Sequence, residues 1–399
     1  MRRRDFLLAT GAIGAGLLSV SGAARGGASP DRIQVGVIGT GVRGMQLARF
    51  IGADDRFHIK AVCDVLPFRL SDAAEHLGSG VTTYRDYRAL LDDSSVDAVI
   101  IATTFSSHFH IAYDAIDAGK HVYCEKTMAK GVDAAIRLHK FSGEHPSQIF
   151  QTGFQYRYSP LFRTAAQLVA DGALGQIAAV NCQWNRNGSW RRPVPDPSLE
   201  RQVNWRMYRE YSSGLAAELS AHQMEFCSYI DPSAVVDIRG TGGIDYWDDG
   251  RETYDNINLI VRYESGLKAT FASQTTNSID GFRISILGKS GTVILTSRKG
   301  WFVPEEQSAS LPDGIDLVTG ASVDTGGRSY STSDARSARQ FAAPSTSPTP
   351  DALGAFADAI LNGSEVECDS LVGARISVMV QMALDAMDKN VVVAWPQIA

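Results

Sequence analysis

Ile33-Gln34-Val35-Gly36-Val37-Ile38-Gly39-Thr40-Gly41-Val42-Arg43-Gly44-Met45-Gln46-Leu47-Ala48-Arg49-Phe50 is the stretch that decides the fold of this chain. The β-branched run Ile33 to Ile38 predicts a buried strand, the glycines a tight turn, and the segment from Val42 a helix. Each glycine has a chemical reason to be there. Gly39 makes the turn, Gly41 lets backbone approach a pyrophosphate, and Gly44 lets the helix pack on the strand, with the helix N-terminus aimed at the phosphates. Working outward, a second strand, Ile59 to Cys63, ends in Asp64, at the distance after Gly44 expected of a carboxylate that binds ribose hydroxyls. Its charge favours NAD over NADP, although Arg43 and Arg69 are near enough in sequence to accommodate a 2′-phosphate.

Helices and apolar strands then alternate through Ala98-Val99-Ile100-Ile101-Ala102 and His121-Val122-Tyr123-Cys124, which implies a doubly wound parallel sheet of the Rossmann type over residues 31–152. The expected cofactor contacts are Gly39, Thr40, Gly41, Val42, Arg43, Gly44 and Asp64. Thr103, His108 and Glu125 join them as residues at or just beyond later strand ends, the rim where such sheets bind ligands. His110 lies on the same rim. From Gly153 the pattern changes to strands separated by turns, including a hairpin about Glu264-Ser265-Gly266, so residues 153–399 read as an α+β domain with a mostly antiparallel open sheet. Residues 305–350, rich in Ser, Gly, Thr and Pro, read as a long irregular excursion, followed by helices near Ala352 to Leu361 and Leu371 to Lys389.

The 399 residues carry 38 Lys+Arg against 44 Asp+Glu, a net charge of −6, which argues against nucleic acid as a partner, since phosphate binding needs a basic face. Cysteines at 63, 124, 182, 227 and 368 are odd in number and scattered, so neither a disulfide framework nor a metal site is indicated. Arg2-Arg3-Arg4-Asp5-Phe6-Leu7-Leu8, a short glycine-broken apolar run and Ser21-Gly22-Ala23-Ala24 have the layout of a twin-arginine export signal over residues 1–29. The run is too short and too weakly apolar to remain as a membrane span. A periplasmic or otherwise exported protein follows. Folded export also predicts a cofactor loaded beforehand and held tightly, with Arg43 and the 305–350 excursion as candidates for holding it.

Ala118-Gly119-Lys120-His121-Val122-Tyr123-Cys124-Glu125-Lys126, together with the glycine loop, resembles the Gfo/Idh/MocA family of glucose-fructose oxidoreductase and inositol dehydrogenase type. Gly153-Phe154-Gln155-Tyr156-Arg157-Tyr158-Ser159-Pro160 and Gly172-Ala173-Leu174-Gly175-Gln176-Ile177 extend the resemblance. It implies that Lys126 lies at a hydride-transfer centre; Thr127 stands where the family usually has proline. It also implies an acid followed four residues later by histidine, which Glu218 and His222 supply, with Glu218 orienting His222 as general base and Lys126 holding the reacting hydroxyl. Such relatives oligomerise through the second sheet, so a homo-oligomer is expected.

The implied activity is NAD(P)-dependent oxidation of a sugar, glycoside or polyol. A redox-neutral glycoside hydrolase and a non-catalytic sugar- or nucleotide-binding protein are the alternatives. The segment Trp184, Asn185, Arg186, Trp190, Arg191, Arg192, then Asn204, Trp205, Arg206 and Tyr208 has the aromatic faces and forked donors that bind carbohydrate. From it and the Gly153 segment, Arg157, Trp184, Arg186, Trp205 and Tyr208 are the expected substrate contacts.

Overall fold

The computed structural model describes residues 32–305, 338–342 and 347–396. The expected export signal over residues 1–29 and most of the expected 305–350 excursion lie outside the described residues. The first sheet is built from β1 (Ile33–Ile38), β2 (Phe57–Cys63), β3 (Thr82–Tyr84), β4 (Ala98–Ile101), β5 (His121–Cys124) and β6 (Phe150–Thr152). Its order is β3-β2-β1-β4-β5-β6, every pairing parallel. The order reverses between β1 and β4, so their carboxyl ends diverge and leave a crevice. The connecting helices are α1 (Val42–Gly52), α2 (Pro67–Leu77), α3 (Tyr87–Leu91), α4 (Phe105–Asp117) and α5 (Val132–Glu144). All four residues of β4 are buried, as a strand covered on both faces requires.

After α6 (Pro160–Ala170) the chain enters the second sheet through β7 (Ile177–Asn185). A short helix α7 (Glu200–Val203) and a π-helical turn over Ala216–Ser220 precede α8 (Ala221–Ile230). The remaining strands are β8 (Val235–Gly243), β9 (Asn256–Tyr263), β10 (Lys268–Gln274), β11 (Phe282–Gly288), β12 (Gly291–Leu295), β13 (Lys299–Pro304) and β14 (Arg339–Ala342). Helices α9 (Thr349–Asn362) and α10 (Ser370–Lys389) and the short β15 (Val393–Ala394) end the described chain. The nine-stranded order is β14-β13-β12-β11-β7-β10-β9-β8-β15, antiparallel except for the β7/β10 pair. The expected hairpin joins β9 to β10, with Gly266 at φ 91° in the turn. Along β9 burial alternates strictly, leaving Asn258, Ile260 and Arg262 exposed on the outer face.

Helix α9 packs back on the first sheet. Leu353, Phe356 and Ala357 of α9 are buried in the same apolar cluster as Val35, Val37 and Ile100 of the first sheet. Gln151 Nε2 donates to the Ala352 carbonyl at 2.8 Å, and Arg56 pairs with Asp358 at 2.8 Å. The first sheet would otherwise expose these apolar side chains, so a helix assigned by sequence to residues 153–399 completes the domain at 31–152. Helix α10 is long and apolar enough to span a bilayer, but most of it is buried within the fold.

Candidate active site

The glycine loop at the end of β1 shows three distinct requirements. Gly39 has φ 92°, and a Cβ there would lie 2.7 Å from the Ala102 carbonyl oxygen. At Gly44 a Cβ would lie 1.8 Å from the Gly39 carbonyl oxygen, so the loop and helix cannot close on any larger residue. Gly41 differs. A Cβ there would meet only Arg69 Nη1, at 3.6 Å, so the fold itself does not demand glycine and the free space faces the cleft. Gly41 is also the N-cap of α1, with no side-chain cap and no acidic residue in the first turn. The unpaired N–H groups of that turn are therefore left for an anion. Asp64, buried at the end of β2, accepts from Thr40 N at 2.8 Å and Leu66 N at 2.9 Å, which fixes its carboxylate at the rim. These features fit the pyrophosphate and ribose of a dinucleotide.

The loop opens into a cleft of about 1610 Å³ that runs from α2 to the π-helical turn. It is lined by Gly39, Thr40, Gly41, Val42, Arg43, Asp64, Thr103, His108 and Glu125, and further in by Lys126, Trp184, Arg186, Trp205, Glu218 and His222. Gly44 sits beneath the loop rather than on the wall. Arg43 Nε donates to Glu125 Oε1 at 2.6 Å, tying the glycine loop to the end of β5. Burial opposes the Arg43 charge, but Glu125 outweighs it and keeps the guanidinium charged. His108 is fully buried and its Nδ1 lies 2.8 Å from the Thr127 carbonyl oxygen, so it braces the residue after Lys126. Burial holds it toward the neutral form.

Lys126 reaches across the cleft floor. Its Nζ donates to the carbonyls of Ala217 and Glu218, each at 3.0 Å, and lies 3.8 Å from Glu218 Oε2. The peptide bond to Thr127 is cis. An ammonium has three donors, so two are spent on the π-helical turn and one remains for a ligand oxygen. Burial lowers the Lys126 pKa below the usual lysine value, against the attraction of Glu218 and Glu125. For Glu218 burial acts upward, yet Arg206, 3.1 Å away, and Lys126 outweigh it, and the carboxyl lies below its ordinary value.

Glu218 therefore does not orient His222 as the sequence implies. The two cations hold its carboxylate, and His222 Nδ1 has no hydrogen-bond partner among the described residues. His222 is instead set by aromatic edges, with Tyr156 at 5.0 Å and Phe154 and Trp184 each at 5.9 Å between ring centroids. Burial, then repulsion by Lys126 and Arg43, lowers its pKa well below the ordinary imidazole value.

Two expected substrate contacts lie elsewhere. Arg157 donates to Glu225 at 2.7 Å and covers the Tyr229 ring at 3.8 Å, because a buried carboxylate needs a buried cation. Tyr208 gives its hydroxyl to Glu200 at 3.1 Å and carries Arg201 on its ring. His110 is exposed and lies outside the cleft. Conversely, Gln155 and Tyr156 line the cleft without having been singled out. The strand-end rule that selects Glu125, applied to β6, points to them. Phe105 also lines the cleft, 5.3 Å from Lys126 Nζ and 5.1 Å from the Trp205 ring. Among the described residues no three His, Cys, Asp or Glu side chains are grouped to hold a metal, and the five cysteines are free and buried.

Residues 33–154 match the family model described as GFO_IDH_MocA, oxidoreductase family with an NAD-binding Rossmann fold, and residues 162–294 match the GFO/IDH/MocA C-terminal domain. The chain belongs to the Gfo/Idh/MocA family. Its first sheet is accordingly an NAD-binding domain. Among curated relatives, the myo-inositol 2-dehydrogenase of Thermotoga maritima is 25% identical over 67% of this chain and 79% of its own length. The inositol 2-dehydrogenase/D-chiro-inositol 3-dehydrogenase of Lactiplantibacillus plantarum is 28% identical over 36% of this chain; that alignment spans only 41% of the relative. Among solved structures, an oxidoreductase domain protein from Kribbella flavida superposes with a TM-score of 0.74 at 20% identity, covering 92% of this chain and all of that one, which establishes the shared fold.

Proposed function

We propose that the protein is an exported oxidoreductase that oxidises a hydroxyl-bearing carbon of a sugar, glycoside or polyol, using a firmly held NAD. The observation that carries this reading is the convergence of Lys126, Glu218 and His222 on the floor of a cleft whose outer wall is the glycine loop. NAD, when bound, supplies the hydride acceptor. Lys126 offers its third N–H to the reacting hydroxyl and stabilises negative charge as it develops on that oxygen. Glu218 acts on Lys126, favouring the charged ammonium against burial. His222, kept neutral, has a lone pair ready to take the hydroxyl proton. Trp184 and Trp205 give the cleft apolar faces suited to the C–H surface of a sugar ring. The names of the inositol dehydrogenase relatives support a polyol or sugar substrate.

The twin-arginine pattern at Arg2-Arg3 supports export, and the Arg43–Glu125 pair beside the glycine loop supports slow release of the nucleotide. The exposed outer face of β9, with Ile260 at 43% exposure, supports assembly into a homo-oligomer through the second sheet.

The experiment starts from protein purified without added nucleotide. Mass spectrometry should find about one NAD per chain, and sugars or polyols should then produce NADH absorbance. Release of a chromogenic aglycone with no net NADH would replace this reading with the redox-neutral hydrolase. Cofactor without turnover of any carbohydrate would leave a binding protein.

A further inference from the structure

The cleft beyond the glycine loop is unevenly charged. Lys126, Arg186, Arg192 and Arg206 line it, against Glu218 and the Arg43-paired Glu125, on a chain whose net charge is −6. Glu218 is committed to Lys126 and Arg206. Arg186 and Arg192 have no ion pair among the described residues. Both arginines are exposed, but Arg186 has two aromatic neighbours that restrict it. Its guanidinium lies 5.8 Å from the Trp184 ring and 5.8 Å from the Trp190 ring, a cation between two aromatic side chains. Trp184 in turn lies 5.9 Å from His222, so the fixed guanidinium stands one side chain away from the proposed reacting position. Arg192 lines the same cleft.

Resting on the oxidoreductase reading above, we infer that the substrate is an acidic carbohydrate, carrying a carboxylate or phosphate away from the hydroxyl that reacts, with Arg186 as the anchor for that anion. A guanidinium meets either group through two parallel N–H bonds, which fixes orientation as well as affinity. Among the described residues no acceptor is bonded to the Arg186 guanidinium, so its N–H groups remain for this purpose. Lys126 and Arg206 share a carboxylate already and do not take the role.

Calorimetry on the NAD-loaded protein tests the inference with matched pairs: methyl glycosides of glucose, galactose and mannose against the corresponding methyl uronides, and each free hexose against its 6-phosphate. At low ionic strength at least one acidic member should bind tenfold or more tightly than its neutral partner, and whether uronide or phosphate wins identifies the anion. Raising salt should shrink the advantage, as screening requires. Arg186→Gln should remove most of it and Arg186→Lys should restore part, with NAD content and melting temperature confirming that each variant is folded. Equal affinities across every pair, or an advantage that survives Arg186→Gln, would overturn the inference. NADH formation in the same samples separates the two claims. Tight anion binding without hydride transfer defeats the oxidoreductase reading alone, whereas turnover with no preference for acid defeats only the acidic substrate.

Discussion

The two ends of the cleft are built by opposite strategies. The nucleotide end is mostly backbone: Gly39, Gly41 and Gly44, the open N–H groups of α1, and one carboxylate pinned by Thr40 and Leu66. Its main cation, Arg43, is already paired. At the reacting end side chains do the work. Lys126 from β5, Trp184 and Arg186 from β7 and beyond, and Glu218 and His222 from the π-helical turn and α8 meet from distant parts of the chain. A cofactor with an unvarying pyrophosphate can be held by backbone, whereas discrimination among hydroxylated rings needs side chains with direction and charge.

That contrast predicts which substitutions damage chemistry and which damage binding. Lys126→Ala should lower kcat/KM by about 10²–10³-fold, in the range for removing one donor from a developing oxyanion, while NAD affinity measured by calorimetry stays within a few-fold. A comparable loss of NAD affinity would move Lys126 to the nucleotide end and break the division. Within the glycine loop the effects should separate. Gly44→Ala, whose Cβ would collide with the Gly39 carbonyl oxygen at 1.8 Å, should cost about 1–3 kcal/mol of stability or more by overpacking. Gly41→Ala should melt like the parent yet bind NAD roughly tenfold more weakly, a loss of about 1.4 kcal/mol.

The pH profile of kcat/KM sharpens the comparison further. His222 is depressed below its ordinary value, so it stays neutral until the pH falls below the usual imidazole range, and the acid limb should lie under pH 6.5. Lys126 is depressed below 10.5, so it loses its proton earlier than a free lysine and the alkaline limb should come in below that value. Because Glu218 raises the Lys126 pKa, Glu218→Gln should shift the alkaline limb further down and reduce the rate by roughly tenfold. An unmoved alkaline limb would show that Glu218 does not act through Lys126. The smallest effect on turnover belongs to Arg157→Gln. Breaking its buried pair with Glu225 should cost about 3–5 kcal/mol of stability, with kcat per folded molecule unchanged.

The same division explains what could be read in advance. The first sheet, its parallel order and the glycine loop follow from contiguous residues, since strand, turn and helix are neighbours in sequence and each glycine answers a local steric demand. Glu125 and Lys126 are legible because they directly follow a strand end. The pairing of Glu218 is not, because spacing of four along a helix says which residues share a face, while the partner is chosen by cations contributed from β5 and from the segment at Arg206. Arg157 misleads for a related reason. It adjoins Tyr156, which enters the cleft, but in the tight turn Gln155–Tyr158 neighbouring side chains diverge, and Glu225 on α8 claims the arginine.

Helix α9 also sets an order of events during synthesis. Arg43, beside the glycine loop, contacts Thr349 Oγ1 at 3.4 Å across 306 residues of chain, and the apolar face of the nucleotide sheet is sealed by Leu353 and Phe356. At translation speeds of about 5–20 residues per second, the loop leaves the ribosome roughly 15–60 s before the helix that closes over its sheet. During that interval the nascent nucleotide domain lacks its lid, and no chain terminated before α9 can finish it. The nucleotide domain is thus completed by residues about 200 positions beyond its last strand.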